Sequence, residues 1–176
     1  MKLFNKKGDE GYTSMLYGQR IRKSDPRPET YGTLDEANST LGFARALSKN
    51  ERVKEIIYKV QEMLFVIGGE LATDPKDYGK LKKKIEEEDI QELQNLIEEM
   101  EDKIKLPKSF IIPGASLASA SLDMARTIIR RGERRAVGLK EDNILLNDKI
   151  LAYLNRSADL IFTLARYEES PDGGDI

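Results

Sequence analysis

Arg126-Thr127-Ile128-Ile129-Arg130-Arg131-Gly132-Glu133-Arg134-Arg135 places five guanidinium groups within ten residues on what reads as one long helix. At about 100° per residue, Arg126, Arg130, Glu133 and Arg134 share a narrow face with Ser119 and Asp123. Leu122, Ala125, Ile128, Ile129 and Ala136 fall on the other side. Such a helix offers an apolar stripe to a core and a guanidinium stripe to something else. Arg is chosen over Lys where planar, bidentate recognition of phosphate or carboxylate is wanted. The plain alternative is a solvated face with intrahelical pairs such as Asp123 with Arg126.

Moving outward from this stretch, helical spacing of apolar residues recurs four more times. Residues 30–47 carry Tyr31, Leu34, Ala37, Leu41 and Ala44 in register, with Thr33-Leu34-Asp35-Glu36 as a capping box if the helix starts late. Asp35 and Asn38 lie on or beside that stripe, and a buried carboxylate there needs a cationic partner. Residues 50–72 repeat Val53, Ile56, Ile57, Val60, Leu64, Ile67 and Leu71 until Thr73-Asp74-Pro75 ends the helix. A polar connector over 76–84 leads to a helix at 86–103 whose inner face is Ile90, Leu93, Ile97 and Met100. Pro107 breaks the chain, and Phe110-Ile111-Ile112-Pro113-Gly114-Ala115-Ser116 reaches a Pro-Gly turn before the arginine helix starts near Ser116 or Ser119. Phe110 would ordinarily belong to a core. Gly138 and Lys140-Glu141-Asp142-Asn143 mark the next turn, and the last helix covers 147–168 before a frayed tail at 170–176. Five amphipathic helices without a convincing strand predict an all-α, up-and-down five-helix bundle with a four-helix-bundle-type, ferritin-like core.

Residues 1–29 show no sustained period and hold Gly8, Gly11, Gly18, Pro26 and Pro28, so they read as a loop ordered by itself or by a ligand. Within it Asn5-Lys6-Lys7-Gly8-Asp9-Glu10-Gly11-Tyr12-Thr13-Ser14 combines Gly, Lys and hydroxyls, the parts of a phosphate cradle, without matching a standard nucleotide motif. A mobile basic tail is the simpler reading of that stretch taken alone.

The 176 residues suit one domain, 1–176, comprising the loop at 1–29, the helices at 30–168 and the tail at 169–176. No run of about 18 apolar residues and no signal-peptide pattern occurs, so a cytoplasmic protein without a membrane span is expected. Neither Cys nor His is present, which rules out disulfides, thiolate nucleophiles, a Ser-His-Asp triad and His- or Cys-ligated metals. Any chemistry must run on carboxylates, Lys, hydroxyls, or positioning and charge stabilisation. Residues 82–102 carry nine acids against three bases, which argues against a nucleic-acid surface wrapping the protein.

Asn5 to Gly11, Lys23 with Asp25 and Arg27, Tyr31-Gly32-Thr33-Leu34-Asp35-Glu36, Phe110 to Gly114, Arg126 to Arg134 and Tyr153-Leu154-Asn155-Arg156-Ser157-Ala158-Asp159-Leu160 together resemble the cobalamin (corrinoid) adenosyltransferases of the propanediol-utilisation and methylmalonic-aciduria type. The blocks follow that family's order from residue 5 to about 167. The chain departs from the family pattern at Asn5 and Lys7, where threonines are usual, at Ala115, where a second Gly is common, and at Gly132, where Ala is common.

The resemblance implies transfer of the 5′-deoxyadenosyl group of ATP to cob(I)alamin by a homotrimer with ATP at each subunit interface. On matching positions, Asn5, Lys6, Lys7, Gly8, Thr13, Ser14 and Lys23 would surround the triphosphate with Arg130, Arg131, Glu133 and Arg134, and Asn155 would touch the nucleotide. Asp35 would pair with Arg126 across the subunit boundary, and Phe110 would sit at the corrin and keep the lower axial ligand off cobalt. Mg²⁺ would accompany ATP, with no metal ligated by the protein. A reductase would deliver the electron, and an adenosylcobalamin-dependent enzyme would receive the product. Two other readings predict different outcomes. A non-catalytic helical interaction protein would bind an acidic partner through the arginine face and show no saturable ATP affinity, and a phosphotransferase would release ADP or AMP.

Overall fold

The computed structural model describes residues 6–106 and 109–171; Asn5, the break expected at Pro107 and the tail residues 172–176 lie outside them. Among the described residues the chain is mainly helical. A β-hairpin (β1, Tyr12–Ser14; β2, Arg20–Arg22) precedes α1 (Pro26–Leu47), α2 (Glu51–Leu71), a 3-10 helix (Pro75–Lys80), α3 (Glu87–Glu101), α4 (Leu117–Glu141) and α5 (Lys149–Glu168).

The hairpin corrects the expectation of a chain without strands. Tyr12 pairs with Arg22 and Ser14 with Arg20 in antiparallel register. The connection is closed by Met15 N–H donating to Gln19 O at 2.7 Å and Gly18 N–H donating to Met15 O at 3.0 Å. Gly18 sits at φ +91°, where a side chain would be strained. Leu16 N–H donates to Ala72 O at 2.8 Å, fastening the hairpin to the end of α2.

α1 also begins earlier than its apolar period suggests. Pro26 and Pro28 occupy the first turn, where a missing N–H costs nothing, and Asp25 caps the helix by accepting from Arg27 N–H at 3.0 Å. Thr33 is therefore no cap; it is buried, and its hydroxyl donates to Glu29 O at 2.7 Å. α2 starts behind an Asn50 cap and α4 behind a Ser116–Ser119 capping box, close to the starts expected from their apolar stripes. α4 does not stop at Gly138. It runs on to Glu141 because Ala136 and Leu139 are buried around the glycine, and it ends where Asn143 adopts φ 58° and Ile144 N–H reaches back to Leu139 O at 2.8 Å.

Helix α1 packs mainly on α4 and α2, α4 on α5, and α5 on α3. Their inward stripes form one apolar cluster in which Leu41, Ile57, Ile67, Leu122, Ile129 and Leu154 are fully buried, each such side chain contributing about 1.5–3 kcal/mol. Asn38, on the α1 stripe, is satisfied by a reciprocal pair: its Nδ2 donates to Gln61 O at 3.2 Å while Gln61 Nε2 donates to Asn38 O at 2.9 Å. The close of α5 is tied down rather than frayed, since Ser170 Oγ donates to Tyr167 O at 2.7 Å.

Candidate active site

The α4 face that carries the arginines passes through three environments. Ser119 and Asp123 are buried, Arg126 is partly buried, and Arg130 and Arg134 are exposed. The residues share a helix face but not a common exposure, because α5 packs against its first half. Asp123 bridges two cations there: Arg126 Nε donates to Oδ1 at 3.1 Å and Arg166 Nη2 donates to Oδ2 at 2.5 Å. Where the face emerges, α3, α4 and α5 enclose a cleft of about 660 Å³. Its cations are Arg126, Arg130 and Arg156, and Ile97, Leu106 and Phe162 supply apolar wall. Phe162 lies 5.8 Å from the Arg126 guanidinium carbon.

The other arginines of the stretch have different employment. Arg131 is paired with Glu36 of α1. Arg135 Nη2 meets Glu29 Oε1 at 2.5 Å, and its Nη1 donates to Thr33 Oγ1. Between them Gly132 lets the two helices close up: a Cβ there would stand 2.5 Å from Leu34 Cδ2. Arg134 Nη1 donates to the backbone O of Arg130 at 3.1 Å, and the Arg130 side chain has no hydrogen bond or ion pair among the described residues. Glu133 and Asn155 are half-buried.

A second basic group gathers at the hairpin. Lys23 Nζ would lie 3.2 Å from a Cβ on Gly8, so that glycine keeps the ammonium close to the loop backbone. Arg20 donates to Ser14 Oγ at 3.1 Å and to Lys7 O at 2.5 Å, holding both flanks of the loop. Thr13 shares a hydrogen bond with Tyr31, whose phenol is pushed up chiefly by burial. Lys6 is exposed beside them. No residue of this group lines the cleft.

Two expectations change here. Asp35 is exposed, because the buried positions of α1 are Thr33, Leu34, Ala37 and Asn38, and it needs no partner inside its own chain. Phe110 is fully exposed, with Ile112 beside it at 90%, and belongs to no core of this chain. Sequence reasoning missed Arg20, Arg156, Phe162 and the Asp123–Arg166 pair. Arg156 carried a signal as a cation interrupting an apolar stripe, but residues 123 and 166 are too far apart for any local spacing to link them.

A hairpin loop bearing Lys, Gly and hydroxyl groups, a cleft in which Arg126, Arg130 and Arg156 stand with Glu98, Glu101 and Asp159 beside an apolar wall, and no His or Cys in the sequence make a candidate binding site without a thiol nucleophile or an imidazole base. Residues 3–168 match the family model for cobalamin adenosyltransferase. The chain belongs to the cobalamin adenosyltransferase family. It is similar to a corrinoid adenosyltransferase from Citrobacter freundii, at 42% identity over 172 residues that make up 97% of each chain. It is 35% identical to the corrinoid adenosyltransferase PduO of Salmonella typhimurium, covering 97% of this chain but spanning only 50% of that protein. A solved variant of the PduO-type ATP:corrinoid adenosyltransferase from Lactobacillus reuteri, complexed with cobalamin and ATP, superposes with a TM-score of 0.87 at 33% identity, over 94% of this chain and 92% of the other. For a cobalamin adenosyltransferase the Gly132 departure has a visible correlate, since Leu34 fills the space that an alanine methyl would take.

Proposed function

We propose that this corrinoid adenosyltransferase moves the 5′-deoxyadenosyl group of ATP onto cob(I)alamin, releasing triphosphate, at a site completed by two subunits of a homotrimer of up-and-down five-helix bundles. The observation that carries the reading is the α3–α4–α5 cleft, where Arg126 and Arg130 stand at the edge of an apolar wall. Such a wall suits a flat corrin, and the cations suit the charge that must be held beside it.

The substrate supplies the nucleophile, because cobalt(I) attacks C5′ of the ribose without help from a general base, and the lack of His and Cys is then no handicap. The protein's part is to hold the departing triphosphate. Lys6, Lys23, Arg130 and Arg134 do this as cations gathered where negative charge develops. Lys7, Gly8, Thr13, Ser14, Arg131, Glu133 and Asn155 complete the nucleotide site, together with Asn5. Mg²⁺ would accompany the triphosphate, bound to its oxygens. Bringing the hairpin of one subunit to the α4 face of the next would set Lys6 beside Arg130. In the same assembly Asp35 reaches Arg126 of the neighbouring subunit.

Phe110 and Ile112 are solvent-exposed on the segment that follows Leu106 of the cleft wall. Set against the corrin, Phe110 would exclude the lower axial ligand and so ease reduction to cobalt(I). An electron-donating reductase and an adenosylcobalamin-dependent acceptor enzyme are the partners this chemistry calls for. Anaerobic incubation with ATP and chemically reduced cobalamin tests the reading: the visible spectrum should shift to that of an alkylated cobalt while intact triphosphate appears. Release of ADP or AMP, or no cobalamin-dependent use of ATP, would overturn it.

A further inference from the structure

Arg126 reaches the cleft already held from behind. Its Nε–H donates to Asp123 Oδ1 at 3.1 Å, and its two terminal amino groups have no partner among the described residues. Asp123 is 3% exposed and is itself fixed through its other oxygen by Arg166 Nη2 at 2.5 Å. Arg166 is equally buried and also reaches Glu169 Oε1 at 2.9 Å. Its guanidinium carbon lies 5.2 Å from the Phe162 ring, the same ring that Arg126 approaches from the cleft.

Two cations thus share one carboxylate, and Glu169 balances the second of them. A buried ion pair serving stability alone would be complete as Asp123 with Arg166. The division of Asp123 between a deep arginine and a cleft arginine does something further. It fixes the plane of a guanidinium on a side chain with many rotatable bonds, and it leaves the bidentate edge of that guanidinium free.

We propose that Asp123 and Arg166 are positioning residues for Arg126, orienting its free amino groups for an anionic group arriving in the cleft from the substrate or from a neighbouring subunit. This rests on the reading of Arg126 given above. Ordering the side chain before the substrate arrives means that the cost is not met at the reacting geometry, where a displacement of about 1 Å can cost about a hundredfold in rate.

The test uses the full-length enzyme. Asp123→Asn alone leaves Arg166 buried with its charge unbalanced and is expected to lose stability. The informative variant is therefore Asp123→Asn/Arg166→Met, which removes both buried charges at similar volume. Its thermal midpoint should stay close to the wild-type value and its KM for ATP should hold within about twofold, while kcat falls about tenfold. Adding Arg126→Ala to it should then cost nothing more. Recovery of wild-type kcat in the neutral pair would show that Asp123 only balances Arg166, and losses that multiply would show that it acts independently of Arg126; either result overturns the proposal. An Arg126→Ala enzyme that turns over normally would remove the functional reading of Arg126 as well. An impaired Arg126→Ala enzyme beside a fully active neutral pair would remove this inference alone.

Discussion

Single side chains here sort into those that hold helices together and those left free for a ligand, and Gly132 shows how tightly the first group is packed. Alanine would raise helix propensity by about 1 kcal/mol, but its methyl would meet the buried Leu34 at 2.5 Å, and such overpacking costs about 1–3 kcal/mol. Gly132→Ala should therefore lower stability by about 1 kcal/mol, measured as a urea midpoint. In a Leu34→Ala background, where a cavity awaits the methyl, the same change should become stabilising. An unchanged sign in both backgrounds would mean that the α1–α4 approach is looser than it looks. The glycine was visible in the sequence as a departure from the family pattern, yet its reason was not, because Leu34 lies almost a hundred residues away.

Helices are joined by ion pairs whose contribution depends on pH, and the α2–α3 link is the clearest. Glu99 of α3 accepts from Arg52 Nη2 at 2.6 Å and from Lys103 Nζ at 2.9 Å. These bonds, Arg52 first, hold its carboxyl down to about 2 from an ordinary 4.5. A depressed carboxylate adds stability that is fully present above the unfolded value and is lost as pH falls from 4.5 towards 2. The side chain is 35% exposed, so solvent screening limits the effect to about 1 kcal/mol. Wild type should exceed Glu99→Gln by that amount at neutral pH, and denaturation midpoints should converge by pH 2; a constant gap would assign the difference to something other than ionisation. Helix starts were legible where an apolar stripe begins sharply, as near Asn50 and Ser116. Boundaries were not legible at the hairpin, whose three-residue strands are too short for a period, or at Pro26 and Gly138, where residues that usually break helices sit at tolerated positions.

The proposed division of the site between subunits has a quantitative consequence. If the hairpin of one chain works with α4 of its neighbour, Lys6→Ala and Arg130→Ala are defects in opposite halves of each site. Co-expressing the two inactive variants in equal amounts should assemble trimers in which about a quarter of the sites are intact, restoring roughly that share of wild-type activity. No recovery would place both residues in one chain's own site, or leave the protein without a shared site at all. The amino-acid order alone was enough to establish a helical protein with five apolar stripes, an arginine-rich face and no imidazole or thiol, since stripes and caps act within a turn or two of the chain. Which arginines are paired within the chain depends on how the helices pack: α1 engages Arg131 and Arg135 through Glu36 and Glu29, while α5 buries Asp123 and leaves Arg126 and Arg130 at the cleft. Those pairings join residues 43 to 106 positions apart, a distance over which no local periodicity carries information.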